Sequence, residues 1–245
     1  MLIPRYIFTD DFSDMKSLIE TEPYTEMMLA VGDFLWSPAE PLEYIHYIMS
    51  GIARSYLVHE TGRRKIISYH GVGTIFPVFH ELDFKLEQSL VTEAMTPMKT
   101  WRFRWADIKR LVEQQPKLYR NMVAWYARYV NLLLFETAHQ EYNSGFVKVC
   151  NVLWLLHSAK QQASVATLEL AQEELAELLG MSRVNVTRHL GRLRSEGIID
   201  TSRKCISIIR LDALLKYCSG ETRNEDIGKG KREKGKGVKG NLFSQ

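Results

Sequence analysis

Between about Leu29 and Phe103 apolar and polar residues alternate in short runs, and glycines stand at the bends. Tyr44-Ile-His-Tyr-Ile-Met, Ala53-Arg-Ser-Tyr-Leu-Val, Lys65-Ile-Ile-Ser-Tyr and Leu90-Val-Thr-Glu-Ala-Met recur at intervals near ten, with Gly32, Gly51, Gly62, Gly71 and Gly73 between them. Period-two runs separated by turn residues predict half-buried strands of an antiparallel roll or barrel. The period then changes. Residues from Trp105 predict a short helix that ends before Pro116, because a proline disfavours helix at the preceding residue.

A long helix is predicted from Lys117 to Glu141. Met122, Trp125, Tyr126, Tyr129, Val130, Leu132, Leu133 and Phe135 cover more than one of its faces. Two apolar faces need two neighbours, and the natural pair is the chain's own roll and the same helix of a second subunit. Burial within a monomer is the other arrangement. Asn143-Ser-Gly145 reads as a hinge, Phe146 to Ser158 as a further helix and Val165 to Leu170 as a strand.

Residues 170–197 have the grammar of a helix, a turn and a helix. Leu175, Ala176, Leu178 and Leu179 give the first helix an apolar face, Gly180 suits a left-handed C-terminal residue and Ser182 suits an N-cap. In the second helix, Arg183 to Ser195, the stripe Val186, Leu190 and Leu193 faces inward. Arg183, Asn185, Thr187, Arg188, Arg192 and Arg194 stand off the stripe, with no carboxylate before Glu196. So many arginines on one short helix suit a polyanion, and the arginine fork matches guanine in the major groove. Two short strands around Thr201-Ser-Arg-Lys then form a wing whose tip, Arg203 and Lys204, reaches phosphate.

Composition narrows the class. The chain has 245 residues, 45% hydrophobic and 25% charged, enough to fold with real cores. Its longest apolar runs, such as Val152 to Leu156, fall far short of the roughly 20 residues of a membrane span, and no secretory signal pattern opens it. No membrane partner is expected. Cys150, Cys205 and Cys218 fit neither a disulfide framework nor a metal knuckle, which implies a reducing cytoplasm and no metal or other cofactor. Net charge is +3, and its distribution is uneven: residues 1–145 carry 15 basic and 18 acidic side chains, 146–220 ten and seven, 221–245 seven and four. The rear half thus invites an acidic partner. The last 25 residues, rich in glycine and lysine, are expected to be a disordered basic tail.

On these features the chain resembles the Crp/Fnr family of bacterial regulators over nearly its whole ordered length. Gly51, Gly62 and Gly73 fall at the turns of that family's cyclic-nucleotide-binding-type β-roll, the helix from Lys117 looks like its dimerisation helix, and Glu173 to Leu193 like its winged helix-turn-helix. The resemblance implies an α+β fold: an antiparallel β-roll effector domain (1–116), a dimerisation helix (117–143), a winged helix-turn-helix DNA-binding domain (144–220) and the tail (221–245). It also implies a non-enzymatic transcription regulator that binds a palindromic promoter site in double-stranded DNA as a homodimer, answers to a small-molecule effector and contacts RNA polymerase. Ser182, Arg183, Val184, Asn185, Thr187, Arg188, Arg192, Arg203 and Lys204 are the expected DNA-binding residues.

Departures from the family pattern inform the effector. Where cyclic-nucleotide-binding members place a glycine-glutamate pair and an arginine-serine pair, this chain reads Pro77-Val78 and Gln88-Ser89. Without that carboxylate and arginine, cyclic AMP is not the expected ligand. The absence of cysteine before residue 150 argues against an iron-sulfur cluster. The chain is similar to members that sense small aromatic acids in halogen-respiring anaerobes, which implies an effector site of Tyr69, Trp125 and Arg128 with Gln88 and Ser89. Alternatives are a haem sensor using His70, His80 or Pro4, and a thiol switch at Cys205. A cupin-like metalloenzyme barrel is less favoured, because His46, His59, His70 and His80 are never two apart. In the recognition helix the family's Glu-x-x-Ser-Arg reads Val184-Asn-Val-Thr187-Arg188, so Val184 offers only apolar contact there.

Overall fold

A computed structural model describes residues 3–36, 43–77, 90–162, 171–202 and 205–223. The expected strand at Val165 to Leu170 and most of the basic tail lie outside the described residues, as do Val78, His80, Gln88, Ser89, Arg203 and Lys204.

The front of the chain is a roll of two facing sheets. One has the order β1 (Ile7–Phe8), β6 (Arg64–His70), β5 (Ala53–Val58), β8 (Leu90–Ala94), β3 (Phe34–Trp36). The other has the order β2 (Tyr24–Leu29), β9 (Met98–Arg104), β4 (Tyr44–Ser50), β7 (Ile75–Phe76). A bulge at Ser55–Tyr56 shifts the register of β5 on β6, and Tyr56, Ile66 and Tyr69 are buried together with Ser55, Ser68 and His70 while Arg54, Arg64 and Lys65 stay at least partly exposed. The predicted turn glycines Gly51, Gly62 and Gly73 all have positive φ. Two strands extend the expected set: β2 begins at Tyr24, ahead of Leu29, and β1 pairs parallel with β6, Ile7 beside Tyr69 and Phe8 beside His70.

After a short α1 (Lys16–Ile19) inside the roll's first connection, the helical half begins. Helix α2 (Trp105–Gln114) stops at the expected place, and Pro116 then serves as the first residue of α3 (Pro116–Tyr142), where its missing N–H costs nothing. Leu118, Met122, Trp125, Leu132 and Phe135 of α3 are buried against the roll and the rear domain, while Val123, Ala127, Val130 and Leu134 form an exposed stripe with steps of four, three and four. Behind α3 come α4 (Gly145–Gln162), α5 (Gln172–Leu179), α6 (Arg183–Ser195), the hairpin β10 (Ile199–Ser202) with β11 (Cys205–Ile208), α7 (Leu211–Tyr217) and α8 (Gly220–Arg223). One apolar core runs from the roll under α3 into the rear domain.

Candidate nucleic-acid interface and effector seam

The turn between α5 and α6 is built by two local devices. Gly180 has φ +63, the left-handed conformation that costs a residue with a Cβ about 1 kcal/mol, and the Met181 N–H reaches the Ala176 carbonyl at 3.0 Å. Ser182 then caps α6, its hydroxyl accepting from the Asn185 N–H at 3.3 Å. Val186, Leu190 and Leu193 are buried, so the helix's other face is presented outward. Arg183, Val184, Thr187 and Arg188 are exposed there, Val184 at 78% of its surface. Arg183 and Arg188 make no ion pair among the described residues, and Thr187 donates to the Gln172 side chain at 2.8 Å. The first two turns of α6 thus offer two guanidinium groups toward the positive end of a helix dipole, a surface suited to phosphate and base edges.

Two further exposed arginines of α6 also hold the domain together. Arg192, expected to face DNA, lies 4.0 Å from the Phe146 ring and 5.3 Å from the Tyr217 ring, and pairs with Glu196 at 3.0 Å. Its charge packs α6 onto α4 and α7. Arg194 donates to the Thr201 hydroxyl at 3.1 Å, tying α6 to the wing. Sequence reasoning missed the posts that hold the wing: Arg210 donates to the Gly197 carbonyl at 3.1 Å and also to the Glu196 carbonyl, and the Tyr217 hydroxyl donates to Glu196 at 2.8 Å. The wing hairpin is in register, Ile199 against Ile208 and Ser202 against Cys205.

The expected effector residues are arranged differently from the expectation. Trp125 is buried, stacked on Tyr129 at 5.0 Å between ring centroids and 5.3 Å from Phe8. Arg128 is ion-paired with Asp11 at 2.7 Å, and Arg5 pairs with the same carboxylate oxygen. Burial raises the Asp11 pKa against the pull of both guanidinium groups. Trp125 and Arg128 therefore meet at one seam, closed by residues 5–12. Tyr69 does not join them: it makes no ring contact with Trp125 among the described residues, and its buried hydroxyl lies in the field of Glu174, Arg54 and Glu177, toward α5. His70 is wholly buried, 3.9 Å from the Phe76 ring and 5.7 Å from Phe8, and burial alone lowers its pKa to about 3. It is a neutral core histidine. Among the described residues no three of His, Cys, Asp and Glu stand together as a metal site.

Cys150 and Cys218 are buried, and burial pushes both thiols up to about 12, so neither forms a reactive thiolate at neutral pH. Cys205, in the wing, is partly exposed.

Roll and rear domain are also joined by polar contacts with no local sequence signal. Arg54 bridges Glu93 and Glu174 of α5, the latter at 2.9 Å. Lys65 pairs with Glu136 at 2.7 Å and donates to the Leu178 carbonyl at the end of α5, and Gln140 donates to the Leu179 carbonyl at 3.2 Å. The roll and α6 thus both pack against α5.

Comparison with known proteins agrees with this layout. Residues 147–217 match the Crp-like helix-turn-helix domain. The global nitrogen regulator of Nostoc sp. is 22% identical over 179 residues, 71% of this chain and 80% of that protein. FixK2 from Bradyrhizobium japonicum superposes with a TM-score of 0.69 at 19% identity, over 80% of this chain and 98% of that one. CprK in complex with OCPA does so with a TM-score of 0.67 at 17% identity, over 87% and 100%. The nearly equal scores do not single out the aromatic-acid-sensing members. Fold, matched domain and relatives point the same way: residues 147–217 match a Crp-like helix-turn-helix domain, and the chain as a whole is similar to transcription regulators with this domain and has their fold.

Proposed function

We propose that the protein acts as a homodimer, each subunit setting α6 into the major groove at one half of a palindromic site, while a small effector bound between the roll and α3 changes the spacing of the two α6 helices. The observation that carries this reading is the outward face of α6, where Arg183 and Arg188 are exposed and unpaired among the described residues above a buried apolar stripe. Arg183 and Arg188 are assigned to base edges and Thr187 to base or phosphate. The wing tip, Arg203 and Lys204, is assigned to the sugar-phosphate backbone.

Dimerisation is supported by the exposed stripe Val123, Ala127, Val130 and Leu134, whose four-three-four steps are those of a two-helix seam. For the effector, Trp125 offers a ring and Arg128 a cation, a pair suited to a small aromatic acid, while Pro77-Val78 and Gln88-Ser89 in place of the cassette's carboxylate and arginine argue against cyclic AMP. CprK, solved with OCPA, is one of several folds of this kind, so the aromatic-acid assignment rests on the residues themselves. Activation or repression through RNA polymerase is the expected output.

Selection of binding sites from a random duplex pool tests the core of the proposal. The expected product is a palindrome whose half-sites lie about 10 base pairs apart, bound with a steep salt dependence. Recovery of isolated half-sites bound by a monomer overturns the dimer. No attraction to any duplex, with or without effector, overturns the DNA-binding reading.

A further inference from the structure

We infer that residues Phe8 to Asp11 are a built-in occupant of the seam, presenting to Trp125 and Arg128 the ring and the carboxylate that a free aromatic monocarboxylate presents when it displaces them. The inference rests on the effector reading of Trp125 and Arg128 given above and adds what fills their site in the free protein.

Three observations carry it. The first is a match of spacing. Trp125 and Arg128 stand three residues apart on one face of α3, and their partners Phe8 and Asp11 are also three apart, with ring centroids 5.3 Å apart in one pair and an ion pair of 2.7 Å in the other. Phe8 also lies against Tyr129 and His70, so a ring is wrapped by aromatic surface as a ligand's would be.

The second is an imbalance of charge. Arg5 and Arg128 share one carboxylate oxygen of Asp11, whose side chain is 2% exposed. Arg5 Nε, Arg128 Nε and Asp11 Oδ2 are buried without a hydrogen-bond partner among the described residues. Two cations and one anion leave two donors and one positive charge unmatched, a mismatch that an anion free to orient itself in the seam removes.

The third is the backbone of the segment, which pairs at one sheet edge while the Phe8 ring is wholly buried. β1 is a two-residue strand at the edge of its sheet, and Asp10, between Phe8 and Asp11, has φ +59, a left-handed conformation uncommon for any residue other than glycine. The backbone bonds anchoring this stretch include those from Asp10 to Val72 and from Phe12 to Gly73, each 2.8 Å. Displacement has to expel the wholly buried Phe8 ring, so a competitor must fill the same aromatic pocket with a ring of its own and meet Arg128 with its own anion.

The test uses the full chain with benzoate and its neutral isostere benzamide, followed by calorimetric titration and by amide hydrogen exchange over residues 5–12. Benzoate is expected to bind at least tenfold tighter than benzamide and to speed exchange of the Asp10 and Phe12 amides. Asp11→Asn is expected to bind benzoate about tenfold tighter than the wild type, and Arg128→Gln to lose binding. Exchange in the wild type needs no variant, and Phe8→Leu, which weakens the occupant's ring, is expected to shift benzoate affinity in the same direction as Asp11→Asn. If benzoate instead protects residues 5–12, or binds wild type and Asp11→Asn equally, the occupant is refuted. Binding that requires Arg128 but ignores Asp11 refutes the occupant and leaves the effector reading standing. Benzoate binding unchanged by Arg128→Gln, or absent from all variants, refutes both, and duplex binding by the same samples shows separately whether the regulator reading survives.

Discussion

The two halves of the molecule handle charge in opposite ways. In the roll and α3, ionisable groups are turned inward: Arg128 is tied to Asp11, Lys65 to Glu136, and His46, His70 and His139 are buried. In the rear domain Arg183 and Arg188 face outward with no carboxylate paired to them among the described residues. Inward charges are sensitive to packing, because moving any partner leaves a desolvated group behind. Outward charges are sensitive to what arrives from solution. The front is therefore built to respond and the rear to recognise, with Arg54 and Lys65 at the contact between them.

Acid should break this contrast most severely. Burial lowers the pKa of His46 to about 4, of His70 to about 3 and of His139 to about 4, from an ordinary 6.5. As pH falls below about 6.5 the unfolded chain takes up protons that the folded one refuses, so stability is full above that pH and drains toward pH 4. Each histidine contributes about 1.4 kcal/mol per pH unit in that window, and the three together about 4. Denaturant melts between pH 7 and 5, followed by near-ultraviolet circular dichroism, should show the midpoint falling steeply. A midpoint flat across that range removes the claim that the front half rests on neutral histidines.

Leu134→Glu should have the next largest effect. It places a carboxylate in the exposed stripe of α3, where a homodimer brings two copies together in low dielectric. Sedimentation should show a monomer that keeps its fold, and affinity for a palindromic site should fall about a thousandfold toward the non-specific level. A dimer that survives this change is joined elsewhere.

Arg188→Ala probes the outward half directly. Loss of a bidentate base contact costs about 1–3 kcal/mol at the selected site and much less on random duplex. A parallel loss on both, measured by fluorescence anisotropy at fixed salt, reassigns Arg188 to phosphate.

The same contrast explains what was legible in the sequence. β5 is legible with its observed bounds because a short run rich in apolar and β-favouring residues stands between turn glycines Gly51 and Gly62, although a bulge at Ser55–Tyr56 breaks its alternation. β2 was missed because it is an edge strand whose residues are mostly exposed, so no apolar period marks it. The turn at Gly180 and the cap at Ser182 are legible because both act within five residues. Arg192 stands off the apolar stripe of its own helix, which points it toward DNA in the sequence, whereas its ring partners Phe146 and Tyr217 come from other helices. For Trp125 and Arg128 the residue types suggested a site, but Phe8 and Asp11 lie 117 positions away in each case, beyond any local pattern.

Arg192→Ala sharpens the boundary between the two kinds of charge. Its stacking and its pair with Glu196 are half-exposed, so the loss of rear-domain stability should be small, a slight fall in melting temperature. At high salt, where phosphate contacts are screened, the variant's remaining DNA affinity should match the wild type's. A loss on duplex equal to that of Arg188→Ala would return Arg192 to the interface.

The smallest effect concerns a single base step. Val184 is exposed at the start of α6, where the family pattern has a glutamate able to accept from cytosine N4. A valine offers only methyl groups, and the matching feature in the major groove is the thymine methyl. The half-site should therefore favour A·T over G·C at that position by about 1 kcal/mol or less, below the cost of losing a bidentate contact. Val184→Glu should reverse the preference toward G·C while leaving the other positions of the selected site unchanged, because Arg183 and Arg188 keep their places on the helix. Selection with both proteins measures this directly. An invariant G·C pair at that position with the wild type would mean that α6 enters the groove in a different register, and the assignments of Arg183 and Arg188 would move with it.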